Sequence, residues 1–284
     1  MPSVVTLITL LRPQQWLKNL MLFFPPFLDG TLLQPTVWQK GILPFIAFSL
    51  ASSGGYILND LMDRETDRNH PTKANRPLAS GRISTSSATA IAAVLILSAL
   101  VMTFWHKQIS LAFILLAYLA VTIAYSCCLK NIPVIDLFCI ATGFLFRLQA
   151  GGAVFEVTIS QWLFLSVLLL SLFLSSGKRL SEKLTLLDEA ASHRKVLAHY
   201  PEGFLDGVLF MTGSAVLVTY TMYTLSHRML LYSVPLCCFG LLRYILRVKS
   251  GLGGDPTEAL LRDPWLFAVG MGWCLMIGWG IYIP

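Results

Sequence analysis

The stretch Gly55–Gly81, GYILNDLMDRETDRNHPTKANRPLASG, decides how the chain is arranged, because dense charge begins where an apolar run through Ile46–Gly54 ends. Asp60, Asp63 and Asp67 are spaced i, i+3, i+7, so on a helix continuing out of that run they share one face, with Asn59 beside Asp63 at i+4. Carboxylates crowded in this way repel one another unless a cation neutralises them. Hard oxygen donors suit Mg²⁺, which is usually held by one or two carboxylates while it bridges substrate phosphates. Asn59, Asp60, Asp63 and Asp67 are therefore the expected metal ligands. Arg64, Arg68, Lys73, Arg76 and, just beyond, Arg82 then read as clamps for the outer oxygens of a diphosphate. Any one of these charges alone is accounted for by a solvated loop at a membrane surface. The run Asn-Asp-x-x-Asp-x-x-x-Asp, followed by Asn75-Arg76-Pro77-Leu78-Ala79-Ser80-Gly81, is too specific for that.

Composition sets the solvent. Hydrophobic residues make up 55% of the 284 and charged residues 13%, too few polar groups to cover a water-soluble globule. Apolar runs lie near 18–34 (interrupted by Pro25 and Pro26), 40–58, 86–105, 110–128, 132–150, 160–176, 206–225, 229–247 and 265–283. At about 20 residues per crossing, they predict an all-α, polytopic membrane protein of about nine transmembrane helices in a single domain, 1–284. One set of loops holds most of the Lys and Arg, and the other only Lys40, Lys107 and Arg228, which puts the N-terminus and the aspartate stretch on the cytoplasmic side. The net charge of +6 fits cytoplasmic loops facing anionic headgroups, and no nucleic-acid motif is present. The six cysteines lie in apolar stretches without C-x-x-C spacing and read as small core residues. The first residues lack the basic n-region and cleavage site of a signal peptide, so they are expected to be retained.

Other charges mark further places. Arg12-Pro13-Gln14-Gln15-Trp16-Leu17-Lys18-Asn19 is either an interfacial anchor or, if the segment returns to the cavity, a way for Lys18 to reach a substrate phosphate. Asp136 and Arg147 fall inside an apolar helix, where an ionisable group is costly and faces a polar cavity or a partner. Eleven residues apart, they share a face but are too distant to pair. Lys178-Arg179-x-x-Glu182 closes the sixth span and suits a phosphate that carries no metal of its own. His193, His199 and His227 have no metal-ligand spacing and receive no role. The stretch from Arg243-Tyr244-x-x-Arg247 through the glycine-rich loop after Lys249 to Asp263 is a weak phosphate-cradle motif, and Asp255-Pro256 is expected to start a short helix.

Asn59–Asp67 with Asn75-Arg76-Pro77-Leu78 resembles the first aspartate motif of the UbiA superfamily of intramembrane prenyltransferases. That resemblance implies a UbiA-type bundle, Mg²⁺, a diphosphate substrate and a polyprenyl chain. The sequence departs from the common pattern at the second aspartate-rich motif: Lys178-Arg179-x-x-Glu182 stands there, with Asp188 and Asp206 too far along to substitute. Within the superfamily the chain resembles the decaprenyl-phosphate phosphoribosyltransferases. The likeness rests on Arg12–Asn19, Asn59–Asp67, Tyr125-Ser126-x-x-Leu129-Lys130, Arg147-x-x-Ala150-Gly151, Lys178-Arg179-x-x-Glu182 and Leu260–Asp263. It implies transfer of 5-phosphoribose from phosphoribosyl diphosphate (PRPP) to a polyprenyl phosphate in a bacterial inner membrane, and assembly as a homotrimer. The catalytic candidates are then Asp60, Asp63 and Asp67, and the substrate-binding ones Lys18, Asn59, Arg68, Lys73, Arg76, Tyr125, Lys130, Arg147, Lys178, Arg179 and Glu182. Two alternatives stay open: an aromatic prenyltransferase, which should carry the missing second aspartates, and a polyprenyl-phosphate carrier without chemistry.

Overall fold

Apolar runs joined by short polar loops become helices in the computed structural model, which describes residues 3–69, 73–105, 108–186, 195–225 and 228–283. In chain order these are α1 (Val4–Leu11), α2 (Phe24–Leu28), α3 (Pro35–Met62), α4 (Arg64–Arg68), α5 (Thr85–Trp105), α6 (Ile109–Cys127) and α7 (Ile135–Phe155). There follow α8 (Gln161–Leu186), α9 (Lys195–Ala198), α10 (Phe204–Thr224), α11 (Val234–Lys249), α12 (Pro256–Arg262) and α13 (Pro264–Tyr282). Among the described residues eight segments are long and apolar enough to cross a membrane, and they match eight of the nine expected spans. Lys107, Asp188, His193, Arg194 and His227, all weighed in the sequence, lie outside the described residues.

The remaining expected span, near 18–34, takes another form. Arg12 ends α1 in the left-handed region (φ 53°), and a 3₁₀ run, Pro13–Phe23, leads into the five-residue α2. Pro25 and Pro26 contribute no N–H to a helical ladder, and a residue before proline disfavours α geometry. The tighter winding also lengthens the path: 3₁₀ geometry rises about 2.0 Å per residue, against 1.5 Å in an α-helix.

α7 is the hub, touching the 3₁₀ run, α2, α3, α6 and α8. One core, with Leu22, Phe48, Leu115 and Val154, joins the run to α3, α6 and α7. A second, with Phe173, Leu209, Val216 and Leu241, joins α8, α10 and α11. The outer faces stay apolar: Val94, Leu97, Val101 and Phe104 on α5 are all more than half exposed, as lipid-facing side chains are. The cysteines correct the sequence expectation, since Cys127, Cys128 and Cys274 are exposed and the other three only half-buried. A thiol is apolar enough to face lipid, so placement in an apolar stretch does not require burial.

Gly151 marks the closest approach of the run to α7, because a Cβ there would sit 2.1 Å from the Leu22 carbonyl oxygen. That obstacle is backbone and cannot rotate away. Gly151→Ala is expected to cost about 1–3 kcal/mol by overpacking, read as a lower thermal midpoint of the detergent-purified protein. Gly278→Ala, inside α13 with a Cβ that meets nothing within 4 Å, should not lower the midpoint and should raise it slightly, since alanine favours a helix interior by about 0.5–1 kcal/mol.

Candidate active site

At the end of α3 the aspartates do not share one helix face. The chain turns at Asp63 (φ −92°, ψ 3°), between α3 and α4, and the turn splits the set. Asp60 Oδ1 and Asp67 Oδ2 converge on one atom, Arg76 Nη1, at 3.0 and 2.7 Å. Asp60 also takes Arg12 Nη2 at 2.6 and 2.5 Å on its two oxygens. Asp63 turns instead to Lys130 Nζ at 2.5 Å and accepts from Asn59 Nδ2 at 3.0 Å, the latter being the expected i, i+4 contact. The repulsion expected of the cluster is thus relieved by Arg12, Arg76 and Lys130, from three separate segments. Burial pushes the Asp67 carboxyl above its ordinary range, although Arg76 and Lys73 pull the other way.

Among the described residues no three His, Cys, Asp or Glu side chains converge as a metal cluster. A metal that needs only one or two carboxylates nevertheless fits, because Asp60 and Asp67 already close on a single cationic atom with hard oxygen donors. Of the other basic candidates, Arg68 donates to Glu65 at 3.0 Å and to the Ala79 carbonyl at 3.3 Å. Arg82 reaches the Asn75 carbonyl and Ser80 Oγ, folding the loop back beneath the site. Lys73 lies in a 3₁₀ turn, Lys73–Asn75, half-buried beside Asp67.

Asp136 and Arg147 each find partners on other segments. Asp136, fully buried, accepts from Arg179 Nε at 2.7 Å and from the Tyr200 hydroxyl at 2.5 Å. Arg179 in turn donates to Glu182 at 3.0 Å and to the Tyr125 hydroxyl at 3.0 Å. Tyr200 also accepts from the amide of Val134 at 2.8 Å. Val134 sits at φ 69°, a rare place for a β-branched residue, so this bond steadies a strained junction before α7. Arg147, also buried, donates to Asn19 Oδ1 at 2.6 Å, the Gly143 carbonyl at 2.7 Å and the Tyr118 hydroxyl at 3.1 Å. All three are neutral groups.

On the other flank, Lys178 Nζ meets Asp255 Oδ2 at 2.8 Å. Asp255 Oδ1 meanwhile caps α12 by accepting from the Thr257 and Glu258 amides, as the Asp255-Pro256 pair suggested. Gly254 presses on α8, where a Cβ would come within 2.6 Å of the Gly177 carbonyl, and the Tyr244 hydroxyl binds the Gly254 carbonyl at 2.6 Å. Lys18 lies within electrostatic reach of both Lys178 and Asp255. Burial alone would raise the Asp255 carboxyl, but Lys178 and Lys18 hold it below the usual carboxylate range.

Sequence reasoning therefore named most of the charges at this end of the bundle but not how they pair. It gave no binding role to Arg12, Tyr200 or Asp255. Arg12 and Asp255 lay in stretches already singled out, though the pairing of Asp255 with Lys178 was not foreseen; Tyr200 carries no local signal, since only tertiary contacts bring it in.

A helical bundle whose polar residues gather at one end, beside aspartates at the close of a span, defines an intramembrane enzyme-like site. The model of the UbiA prenyltransferase family matches residues 23–269, and the chain belongs to that family. It is 34% identical to a protein of Mycolicibacterium smegmatis named decaprenyl-phosphate phosphoribosyltransferase, over 97% of this chain and 92% of that one. A protein of the same name from Corynebacterium glutamicum is 33% identical, over 98% and 87%. In fold the chain is similar to a UbiA homolog from Archaeoglobus fulgidus solved with GPP and Mg²⁺: TM-score 0.75, 20% identity, covering 98% of this chain and 99% of that one.

Lys178 and Arg179, in the last turns of α8, should differ in what their removal costs. Arg179→Met leaves Asp136 charged, fully buried and without its cation, which is expected to cost about 3–5 kcal/mol. Lys178→Met breaks a partly exposed pair and should cost about 1 kcal/mol or less. Thermal unfolding of the two variants in one detergent checks the difference.

Proposed function

We propose that the protein transfers 5-phosphoribose from PRPP to a polyprenyl phosphate of decaprenyl type, releasing diphosphate. The observation that carries this reading is the near-full-length likeness to relatives named for that transfer, at 33–34% identity. The gathering of Asp60, Asp67, Arg12 and Arg76 at the close of α3 supports it. So does the cationic α8 terminus where the common family pattern has a second aspartate motif.

Asp60 and Asp67 would hold Mg²⁺, joined by Asn59 and Asp63 once Asp63 gives up Lys130, and when bound the ion neutralises charge on a departing diphosphate. Arg76, Arg68 and Lys73 bind the outer diphosphate oxygens and stabilise charge that builds as the ribose C1 gains oxocarbenium character. For this, Arg76 exchanges its carboxylate partners for phosphate oxygens. Until Asp63 is released, Lys130 orients it through their direct contact, with Asn59 beside both. The acceptor, a phosphate monoester, is anionic near neutral pH, so no side chain has to remove a proton to make the nucleophile. Lys18 and Lys178 bind the phosphate ends of the substrates. Tyr125 and Glu182 hold Arg179 in place, and Arg147 positions the 3₁₀ run that carries Lys18. Near Lys130 an apolar groove of about 430 Å³ between α6 and α7, lined by Ala124, Leu129, Val134 and Phe138, offers a prenyl chain an apolar surface. The reading places the site on the cytoplasmic side of a bacterial inner membrane, in one transferase domain, with homotrimer assembly open to mass measurement in detergent.

Purified protein with Mg²⁺, radiolabelled PRPP and a polyprenyl phosphate should move label into the lipid fraction and release diphosphate. Asp63→Ala, Arg76→Met and chelation should each lower the rate at least about a hundredfold, by loss of charge stabilisation at the leaving group. A single displacement inverts the anomeric centre, so retention in the product would overturn that step. Failure of folded protein to transfer label would sink the reading, and polyprenyl diphosphate with an aromatic acid would be tried next.

A further inference from the structure

The corner between the 3₁₀ run, α7 and α8 holds more positive than negative charge. Lys178 and Arg147 both lie within electrostatic reach of Lys18, and Asp255 is the carboxylate paired into this corner, on Lys178 at 2.8 Å. Arg147 is 5% exposed and its hydrogen-bond partners Asn19, Gly143 and Tyr118 are all neutral, so no acid cancels its charge. Buried charge without a counter-ion is costly, so an anion that enters this corner gains from it. The run that carries Lys18 also touches α12, which Asp255 caps, so the pieces are in contact and not merely on one side of the molecule.

Two ion pairs hold the last turns of α8 to other segments, and they differ in what they can give up. Arg179–Asp136 is sealed, at 1% and 0% side-chain exposure, and cannot open cheaply. Lys178–Asp255 is 35% and 20% exposed, so water already reaches it, and such a pair is worth about 1 kcal/mol or less. The two Asp255 oxygens also have separate tasks: Oδ1 caps α12, and Oδ2 alone faces Lys178. Oδ2 can lose its partner without unwinding the helix.

We propose that the Lys18–Lys178 corner is a subsite for a phosphate monoester, with the Asp255 carboxylate as an internal placeholder that releases Lys178 when the phosphate enters. This rests on the transferase reading for the identity of the monoester: the polyprenyl phosphate or the 5-phosphate of the ribosyl donor. The placeholder keeps the lysines from an unpaired state between turnovers and competes with every anion that binds, so its charge sets how tightly the phosphate is held.

Asp255→Asn tests this directly, because asparagine caps a helix as well as aspartate does while losing the charge. Full-length protein in detergent is titrated with inorganic phosphate and followed by thermal shift. The variant should reach half-maximal stabilisation at about five-fold lower phosphate than the native chain, as expected for removing a competing pair worth about 1 kcal/mol. Lys178→Gln should need more phosphate than the native chain. In transfer assays Asp255→Asn should lower the KM of one substrate only, and which one falls identifies the source of the monoester. An unchanged or weakened phosphate response in a folded Asp255→Asn, or a raised KM for both substrates, overturns the placeholder. Should Asp255→Asn not fold, Asp255→Ser keeps a capping oxygen and is read in the same way. A native chain that transfers no phosphoribose, yet shows the phosphate shift and its gain in Asp255→Asn, refutes the transferase reading and leaves the subsite standing.

Discussion

Charge gathered at one end of a lipid-embedded bundle has to be paired before it can be used. The helices present apolar side chains outward, so an ionisable group inside the bundle has to find a partner there. Beside local pairs such as Arg68 with Glu65, the pairs that build the site join different segments: Arg12 and Arg76 on Asp60, Lys130 on Asp63, Arg179 on Asp136, Lys178 on Asp255. Each pair therefore also ties two elements together, and the site and the fold depend on the same contacts. The 3₁₀ run shows this best. It is joined to α3 through Trp16 and Asn19 on Ser53 and Ser49, to α7 through Arg147, and it carries Lys18 toward α8.

The pairs fall into two kinds by exposure. Asp136 with Arg179 is sealed in the bundle, with further bonds from Tyr200, Tyr125 and Glu182, and it sets where the end of α8 stands relative to the start of α7. Arg76 at 26% and Lys178 at 35% exposure are themselves in reach of solvent, although the Asp60 and Asp67 carboxylates that Arg76 holds are buried. A phosphate that brings more negative charge than one carboxylate competes for such cations, whereas it cannot reach the sealed ones. The division suits a transferase: rigid contacts position the elements, and exchangeable contacts around them receive the substrates.

Much of the architecture was legible because lipid imposes a simple rule on sequence. Long apolar runs have to be helices that satisfy their own backbone, and eight of nine were located, seven of them within about five residues, while the sixth runs ten residues past its expected end at 176, with Lys178, Arg179 and Glu182 inside the helix. The ninth was found but misread in geometry, since the prolines that interrupt it left the winding of Pro13–Phe23 to its packing against α3 and α7. The aspartates were legible as a set through their spacing. Their shared helix face was not realised, because a turn at Asp63 directs its carboxylate to Lys130 and away from the other two.

What the sequence by itself determined, then, is the solvent, the spans and the residue types gathered for anionic chemistry, since hydropathy, charge and short-range spacing are local properties. Which cation neutralises which carboxylate was decided only by the tertiary structure. Lys130 lies 67 residues from Asp63 and Asp255 lies 77 from Lys178. Whether such groups meet depends on how helices pack and where loops dock, which in this protein turns on Gly151 and Gly254 leaving room for a neighbouring backbone.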